Sequence, residues 1–456
     1  MLRRIAALLA LLTLAACTGG GDGGGTPDAS SSDDVPGAIV VASGRDVTGR
    51  NGVRQQLIDA WNQREQRAGS QYSARLVELP GSADEQRSQL LGALQSRSAE
   101  YDVVNLDVTW VPEFAAAGLI RTLPEDLIGD GDVIDSVAET AWWDGKVYAV
   151  PFNSDVGLLY YRRDYLERAG VERSDQGAVR TWQDLRDLAD ALGGRPAQGS
   201  YGKGWTTQLA AYEGRTVNAV EAFASAVEDF ALVDEDGHYT GTVEDLTAGI
   251  AELRERTARS YLLQDAHHSD EALSLNDFAE GRTAFLRHWP YVYAALHRTF
   301  TPEQLGVAPL PGRAVLGGQN LAVSGASRRS AKAAELIEYL TGRESERCLL
   351  EAGFAATRES AYGDGVRCPT AVAPSASPTG EGADRVPRDE GGRPAYARTI
   401  LLPALREAVH RPRTPLYGAF TQTFTAQLGP LFGDGPPRDG TLARRLDEAL
   451  RRALPD

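Results

Sequence analysis

The stretch YDVVNLD, Tyr101–Asp107, decides how this chain is read. It is a short apolar run rich in Val, bounded by acidic residues, and it reads as a buried strand. Toward the N-terminus, Leu90, Leu91 and Leu94 mark a helix, and SARLVELP (Ser73–Pro80) marks another strand. Val53, Leu57, Ile58 and Trp61 recur at helical spacing, and AIVVASG (Ala38–Gly44) opens the series as a strand. The order β-α-β-α-β implies an α/β fold with a parallel sheet covered by helices. Ligands of such open sheets bind beyond the carboxyl ends of the strands. Ser43, Gly44, Arg45 and Asp46 follow the first strand, and Asp107 to Trp110 follow the third; all suit a polar site.

Upstream, MLRR supplies a basic start, and Ile5 to Ala16 is an apolar run too short to span a bilayer. Residues 1–16 therefore read as a signal peptide. LAAC, ending at Cys17, resembles the lipobox of bacterial lipoproteins, which implies cleavage before Cys17 and its lipidation; a chance small-residue cleavage site is the alternative. Residues 17–36, continuing to Gly37 as TGGGDGGGTPDASSSDDVPG from Thr18, carry almost no apolar content and read as a flexible tether. The expected place is the extracytoplasmic face of a bacterial cell membrane, with the body held there by lipid.

Beyond the tether, about 420 residues suffice for two or three domains. The chain is 42% hydrophobic and 24% charged, ordinary values for a globular protein, and no later run is apolar enough to span a membrane. A formal charge of −16 argues against nucleic acid and anionic lipid headgroups as partners. With Cys17 lipidated, Cys348 and Cys368 remain, and an oxidising compartment lets them pair; two buried free thiols are the alternative. Neither has metal-ligand spacing, and no metal or cofactor is expected.

Further along, WWDGKVYAVPF places Asp144-Gly145 between apolar flanks, a two-residue hairpin signal. GLLYY from Gly157 reads as a strand, and Thr181 with Asp184 as a capping box before QDLRDLADAL. Helical periodicity returns from Val217 to Phe230 and from Leu246 to Arg256. TAFLRHW and LGGQNLAVS read as strands, and AAELIEYLTG as a helix closed by Gly342. Residues 363–394, rich in Pro, Gly, Ser and charge, read as an excursion loop.

Three blocks, YDVVNLDVTWVPEFAAAG, GKVYAVPFNSDVGLLYYRRDYLERAG and FAEGRTAFLRHWPYVYA with LGGQNLAVS behind it, resemble extracellular solute-binding protein family 1, the solute-binding lipoproteins of sugar ABC importers. Tyr212-Glu213-Gly214 before a helix is similar to the trehalose/maltose-type branch. The resemblance implies a type II periplasmic-binding-protein fold: two α/β lobes, a hinge of three crossing segments, and a sugar in the cleft. By that analogy the crossings fall near Asp155 to Tyr161, Thr283 to Leu286 and Gly318 to Val323. The lobes then comprise 37–157 with 284–321, and 158–283 with 322–456. A monomer working with permease transmembrane subunits is implied.

A sugar site needs aromatic faces for the pyranose C–H groups and planar polar side chains for its hydroxyls. In GRTAFLRHWPYVYA, Pro290 forces a break where Trp289 and Tyr291 sit. On sequence alone Trp289 reads as core; the resemblance implies a cleft position instead. Trp110 and Trp205 are candidates of the same sort. Asp107 corresponds to a pocket carboxylate of the family or caps a helix, and Asp84 allows the same two readings. Asn153 and Asp155 border the hinge; Tyr212 and Glu213 serve the second lobe. Gly318, beside Gly317 and Gln319, permits close backbone approach or makes a turn. Arg358 and Arg411 are bound to ligand or to solvent, and Arg45 and Asp46 complete the set.

An enzyme is the rival class, since a glycosidase needs only two carboxylates across one bond and acids are plentiful. No Ser elbow, zinc signature, P-loop or dinucleotide fingerprint occurs, so none is expected. A binder of peptides or polyamines is the other alternative, the latter favoured by an acid-rich pocket.

Overall fold

The computed structural model describes residues 34–45, 52–79, 81–168, 170, 179–193, 202–369, 372 and 385–454. The expected signal peptide, Cys17, most of the tether and Asp46 lie outside them. The strands are β1 (Ala38–Gly44), β2 (Ser73–Leu79), β3 (Val103–Asp107), β4 (Trp142–Trp143), β5 (Lys146–Val147) and β6 (Val150–Val156). They continue as β7 (Leu158–Arg162), β8 (Lys203–Thr206), β9 (Thr283–His288), β10 (Leu305–Pro309) and β11 (Leu316–Val323).

Two main sheets result, one ordered β2-β1-β3-β11-β6 and one ordered β10-β7-β9-β8. In the first, β1 pairs in parallel with β2 and β3, as the alternation of strand and helix requires. The sheet is mixed, because β11 runs antiparallel to β3 and β6. That pairing joins residues far apart in sequence, so the local alternation gave no sign of it. Helix Val53–Arg67 packs Val53, Leu57, Ile58 and Trp61 into the first lobe's core beside Ile39 and Val41. Helix Ala83–Gln95 starts at a true capping box: Ser82 accepts from the Glu85 N–H, and Glu85 reaches back to the Ser82 N–H. In the second lobe Thr181 and Asp184 make the reciprocal contacts foreseen for them. Asp144 and Gly145 take positive φ and close the β4–β5 hairpin.

The lobes join where β6 leaves the first sheet and β7 enters the second, with Gly157 between them. A Cβ at Gly157 would stand 2.3 Å from a Glu221 carboxylate oxygen, so only Gly fits this crossing. The other two crossings differ from the expected ones. Thr283 to Leu286 stays inside the second sheet as β9, and Gly318 to Val323 stays inside the first as part of β11. The chain crosses instead through 310–315, between β10 and β11, and again near Val409, which bridges to Val315. The division 284–321 is therefore corrected: β9 and β10 belong to the second sheet and only β11 to the first. Likewise helices Ser330–Leu340 and Arg343–Ala352 pack on helix Val53–Arg67 and the first sheet; only Tyr417–Leu428 and Asp439–Ala453 join the second lobe's helices.

Gly342 does not close its helix by a left-handed turn. Its φ is −70°, and it stands as the cap before helix Arg343–Ala352. Cys348, on that helix, is disulfide-bonded to Cys368 and anchors the start of the excursion. Arg347 adds hydrogen bonds to the Ala361 and Gly363 carbonyls, both 3.0 Å.

Candidate functional site

The carboxyl ends of β1 and β3 converge with β6 and β11 on a buried polar floor. Arg54 donates to Ser43 Oγ (3.0 Å), Asn153 Oδ1 (3.0 Å) and Gln319 Oε1 (2.9 Å). Asn105 donates to Ser43 (2.8 Å) and Gln319 (2.7 Å). Asn153 and Gln319 thus hold the floor together through their side-chain oxygens. Gly318, in the same strand, has φ +114°, and a Cβ there would lie 2.4 Å from the Asn153 carbonyl. It is neither turn nor ligand cradle; it lets two strands approach beside the bulge at Gln319 and Asn320.

Above the floor stands the Trp-Pro break. Trp289 is half-buried, with the Arg287 guanidinium 3.9 Å from its ring centre. A Cβ at Gly317 would come within 3.1 Å of the indole edge, so the glycine makes room for the ring. The backbone here is fixed from several sides. The Trp289 N–H donates to His288 Nδ1 (2.9 Å), and Tyr160 donates to the Trp289 carbonyl (3.0 Å). Burial drives the His288 imidazole down to about 3, so it is neutral, and its Nε2 lies 3.0 Å from the Glu271 carbonyl. Tyr291 packs edge-on to the His288 ring. Arg287 itself is buried and paired to Glu221 through two nitrogens (3.1 and 2.5 Å).

Carboxylates from both lobes meet at Arg411. Its Nη2 donates to Asp107 (2.9 Å) on the first lobe and its Nη1 to Glu213 (2.6 Å) on the second. Tyr417 and Thr421 also donate to Glu213, yet burial still raises this carboxyl above its ordinary range. Asp107 accepts from both the N–H and the hydroxyl of Thr109, so it fills the turn-capping role and the cleft role together. Asp84 sits in the first turn of its helix while Ser82 does the capping. Burial raises its carboxyl too, and it accepts from the Glu213 backbone N–H across the cleft. Asp155, at the end of β6, has one carboxylate oxygen with no hydrogen-bond partner. Burial pushes it up to about 7, with Arg54 opposing and Asp107 adding to the rise.

The structure thus gathers Asp84, Asp107, Asp155, Glu213, Trp289 and Arg411, with Tyr291 beside them and Tyr212 hydrogen-bonded to Glu271 (2.8 Å). Other expected residues lie outside this cluster. Trp205 is core, edge-on to Trp182 at 4.9 Å. Trp110 is 5% exposed and packs with Phe114 in a hydrophobic cluster. Arg358 is tied to Asp130 and to the Thr341 carbonyl within the first lobe. Arg45 is exposed at the end of β1. Sequence reasoning missed Arg54, Arg287 with Glu221, and Tyr417. Arg54 left a signal: it shares the apolar stripe of Leu57, Ile58 and Trp61 at helical spacing, where a charge needs a buried partner.

Among the described residues no helix is long and apolar enough to cross a membrane, and no group of side chains could hold a metal ion. Over 92% of this chain and 100% of the other, the fold superposes on the maltose-bound T. maritima MalE3, with a TM-score of 0.74 at 22% identity. The GacH receptor of Streptomyces glaucescens GLA.O follows at 0.71 and 20% identity, covering 93% of this chain and 100% of that one. At this level of identity these likenesses concern the fold. In sequence, a probable ABC transporter-binding protein of Deinococcus radiodurans is 28% identical over 323 residues, 67% of this chain and 73% of that protein. A mannitol-binding protein of Pseudomonas aeruginosa is 29% identical over 133 residues, 27% of this chain and 29% of its own length. Residues 77–347 match the bacterial extracellular solute-binding proteins, and with more than half its length inside that match the chain belongs to this family of substrate-binding proteins.

Proposed function

We propose that this protein captures a sugar, a disaccharide such as trehalose or maltose, between its two lobes and hands it to the transmembrane subunits of an ABC importer. In this reading the mature chain is tethered outside the cell membrane by lipid on Cys17. The observations that carry it are a partly exposed indole, Trp289, beside Asp155 at Gly317, and carboxylates from both lobes held by Arg411. An indole face packs on the C–H face of a pyranose, while carboxylates and a guanidinium take its hydroxyls in charge-assisted bonds. Because the polar groups come from both lobes, a sugar touching all of them favours closure.

The enzyme alternative is poorly served by this geometry. Asp107 and Glu213 share a single guanidinium, whereas a glycosidase holds its two carboxyls free for the leaving group and for water. A thermal-shift panel across trehalose, maltose and other disaccharides tests the proposal, since ligand at a hundredfold its dissociation constant stabilises by about 2.7 kcal/mol. No shift with any sugar would remove it.

A further inference from the structure

We propose that Asp155 sets the charge selectivity of the cleft, admitting sugars that are uncharged or amino-substituted and turning away phosphorylated or acidic ones. This rests on the sugar reading above and names the class of sugar.

The buried guanidiniums of the site, Arg411, Arg287 and Arg54, are each engaged. Arg411 is divided between Asp107 and Glu213. Arg287 is held by Glu221 with both partners almost wholly buried, and it also covers the Trp289 ring. Arg54 spends its donors on Ser43, Asn153, Gln319 and the Gly44 carbonyl, and lies over the Phe354 ring at 5.1 Å. Arg87, at the rim, is paired to Glu113. A phosphate taking Arg411, Arg287 or Arg87 would have to pull it from a carboxylate already bonded to it, leaving that carboxylate unpaired.

The surplus lies on the acidic side. Asp155 keeps an oxygen without a partner, its Cβ is 3.1 Å from the position a Gly317 side chain would take, and the Trp289 indole approaches the same position equally closely. Asp155 and the ring edge therefore flank Gly317 together. Arg54, Arg287 and Arg411 face Asp155 electrostatically, opposed by Asp107, and the phenols of Tyr160, Tyr291 and Tyr396 are coupled to it. None of these supplies the missing hydrogen bond to that oxygen. Protonated, Asp155 donates to a hydroxyl; ionised, it pairs with an ammonium group. A phosphate or carboxylate on the sugar meets a like charge instead when Asp155 is ionised. Held near 7, the group populates both forms around neutral pH.

The test uses the full chain and four probes: trehalose, its 6-amino-6-deoxy and 6-phosphate analogues, and spermidine. Each is measured by calorimetry at pH 6 and pH 8, or with the maltose series if the panel selects maltose. The phosphate should bind more than about a hundredfold more weakly than the neutral sugar. The affinity ratio of amino to neutral sugar should rise several-fold, up to about ninefold, from pH 6 to pH 8 as the ionised fraction of Asp155 grows. Asp155→Asn should abolish that rise. Phosphate affinity within about threefold of neutral sugar overturns the proposal, as does an unchanged ratio in the parent chain or a rise that survives in Asp155→Asn. The parent-chain measurements stand whether or not the variant folds. Spermidine binding with no sugar of any charge bound overturns the sugar reading itself, and the selectivity rule with it.

Discussion

Replacing Arg411 with Met should open the ligand-free cleft. In the structure this side chain is the charged link between the lobes, 2.9 Å from Asp107 on one and 2.6 Å from Glu213 on the other. Its removal leaves two carboxylates from opposite lobes near each other, Glu213 only 8% exposed, with no cation between them. Breaking a buried pair by deleting one partner costs about 3–5 kcal/mol. Part of that is recovered, because opening lets water reach both carboxylates, and the recovery is itself the driving force for separation. A net bias of even about 3 kcal/mol moves a two-state equilibrium more than a hundredfold. Small-angle scattering of the ligand-free variant should therefore give a larger radius of gyration than the parent. Arg411→Lys, which keeps the charge but loses the fork that reaches two acids at once, should fall between them. Scattering curves that superpose for parent and Arg411→Met would refute the reasoning, for they would mean that closure does not depend on this link.

Trp289→Ala should weaken sugar binding by more than about tenfold, a cost of roughly 2 kcal/mol for losing one aromatic contact in a desolvated site, read by calorimetry with the unliganded melting point little changed. For Asp155→Asn the sign follows from the raised carboxyl. Its pKa is lifted from 3.8 to about 7, so parent and variant are equally stable below about pH 4, diverge as pH rises from about 4 to 7, and stay a constant distance apart above it. The variant should be the more stable at pH 8, by at most about 4 kcal/mol before screening by the solvent that reaches this half-buried group, read by chemical denaturation. Cys348→Ser opens a covalent loop 20 residues long and should cost on the order of 3 kcal/mol in chemical denaturation, with no change in sugar affinity. Cys17→Ser should move the protein from the membrane fraction to the soluble one; unchanged fractionation would sink the lipid-anchor reading.

The alternation of short Val-rich strands with periodic helices from Ala38 to Asp107 settled by itself that a sheet with parallel strands opens this protein. Local chemistry likewise marked the Asp144-Gly145 hairpin and the Thr181–Asp184 cap, because both depend on contacts within a few residues. Asp107, Glu213 and Trp289 were legible as candidates from strand-end position and from resemblance. Only the tertiary structure decided what depends on partners distant along the chain. The link from Arg411 to Glu213 spans 198 residues, and Arg54 reaches Gln319 across 265. Trp205 and Trp289 both stand at or near strand ends of the second sheet, and nothing local says that one meets Trp182 while the other lies half-buried under Arg287 and beside Gly317. The crossings were misplaced for the same reason. A strand's own residues report that it is buried, but which sheet it joins is fixed by the neighbour it finds, and β11 finds β3 and β6 only after the chain has built most of the second lobe's sheet and returned.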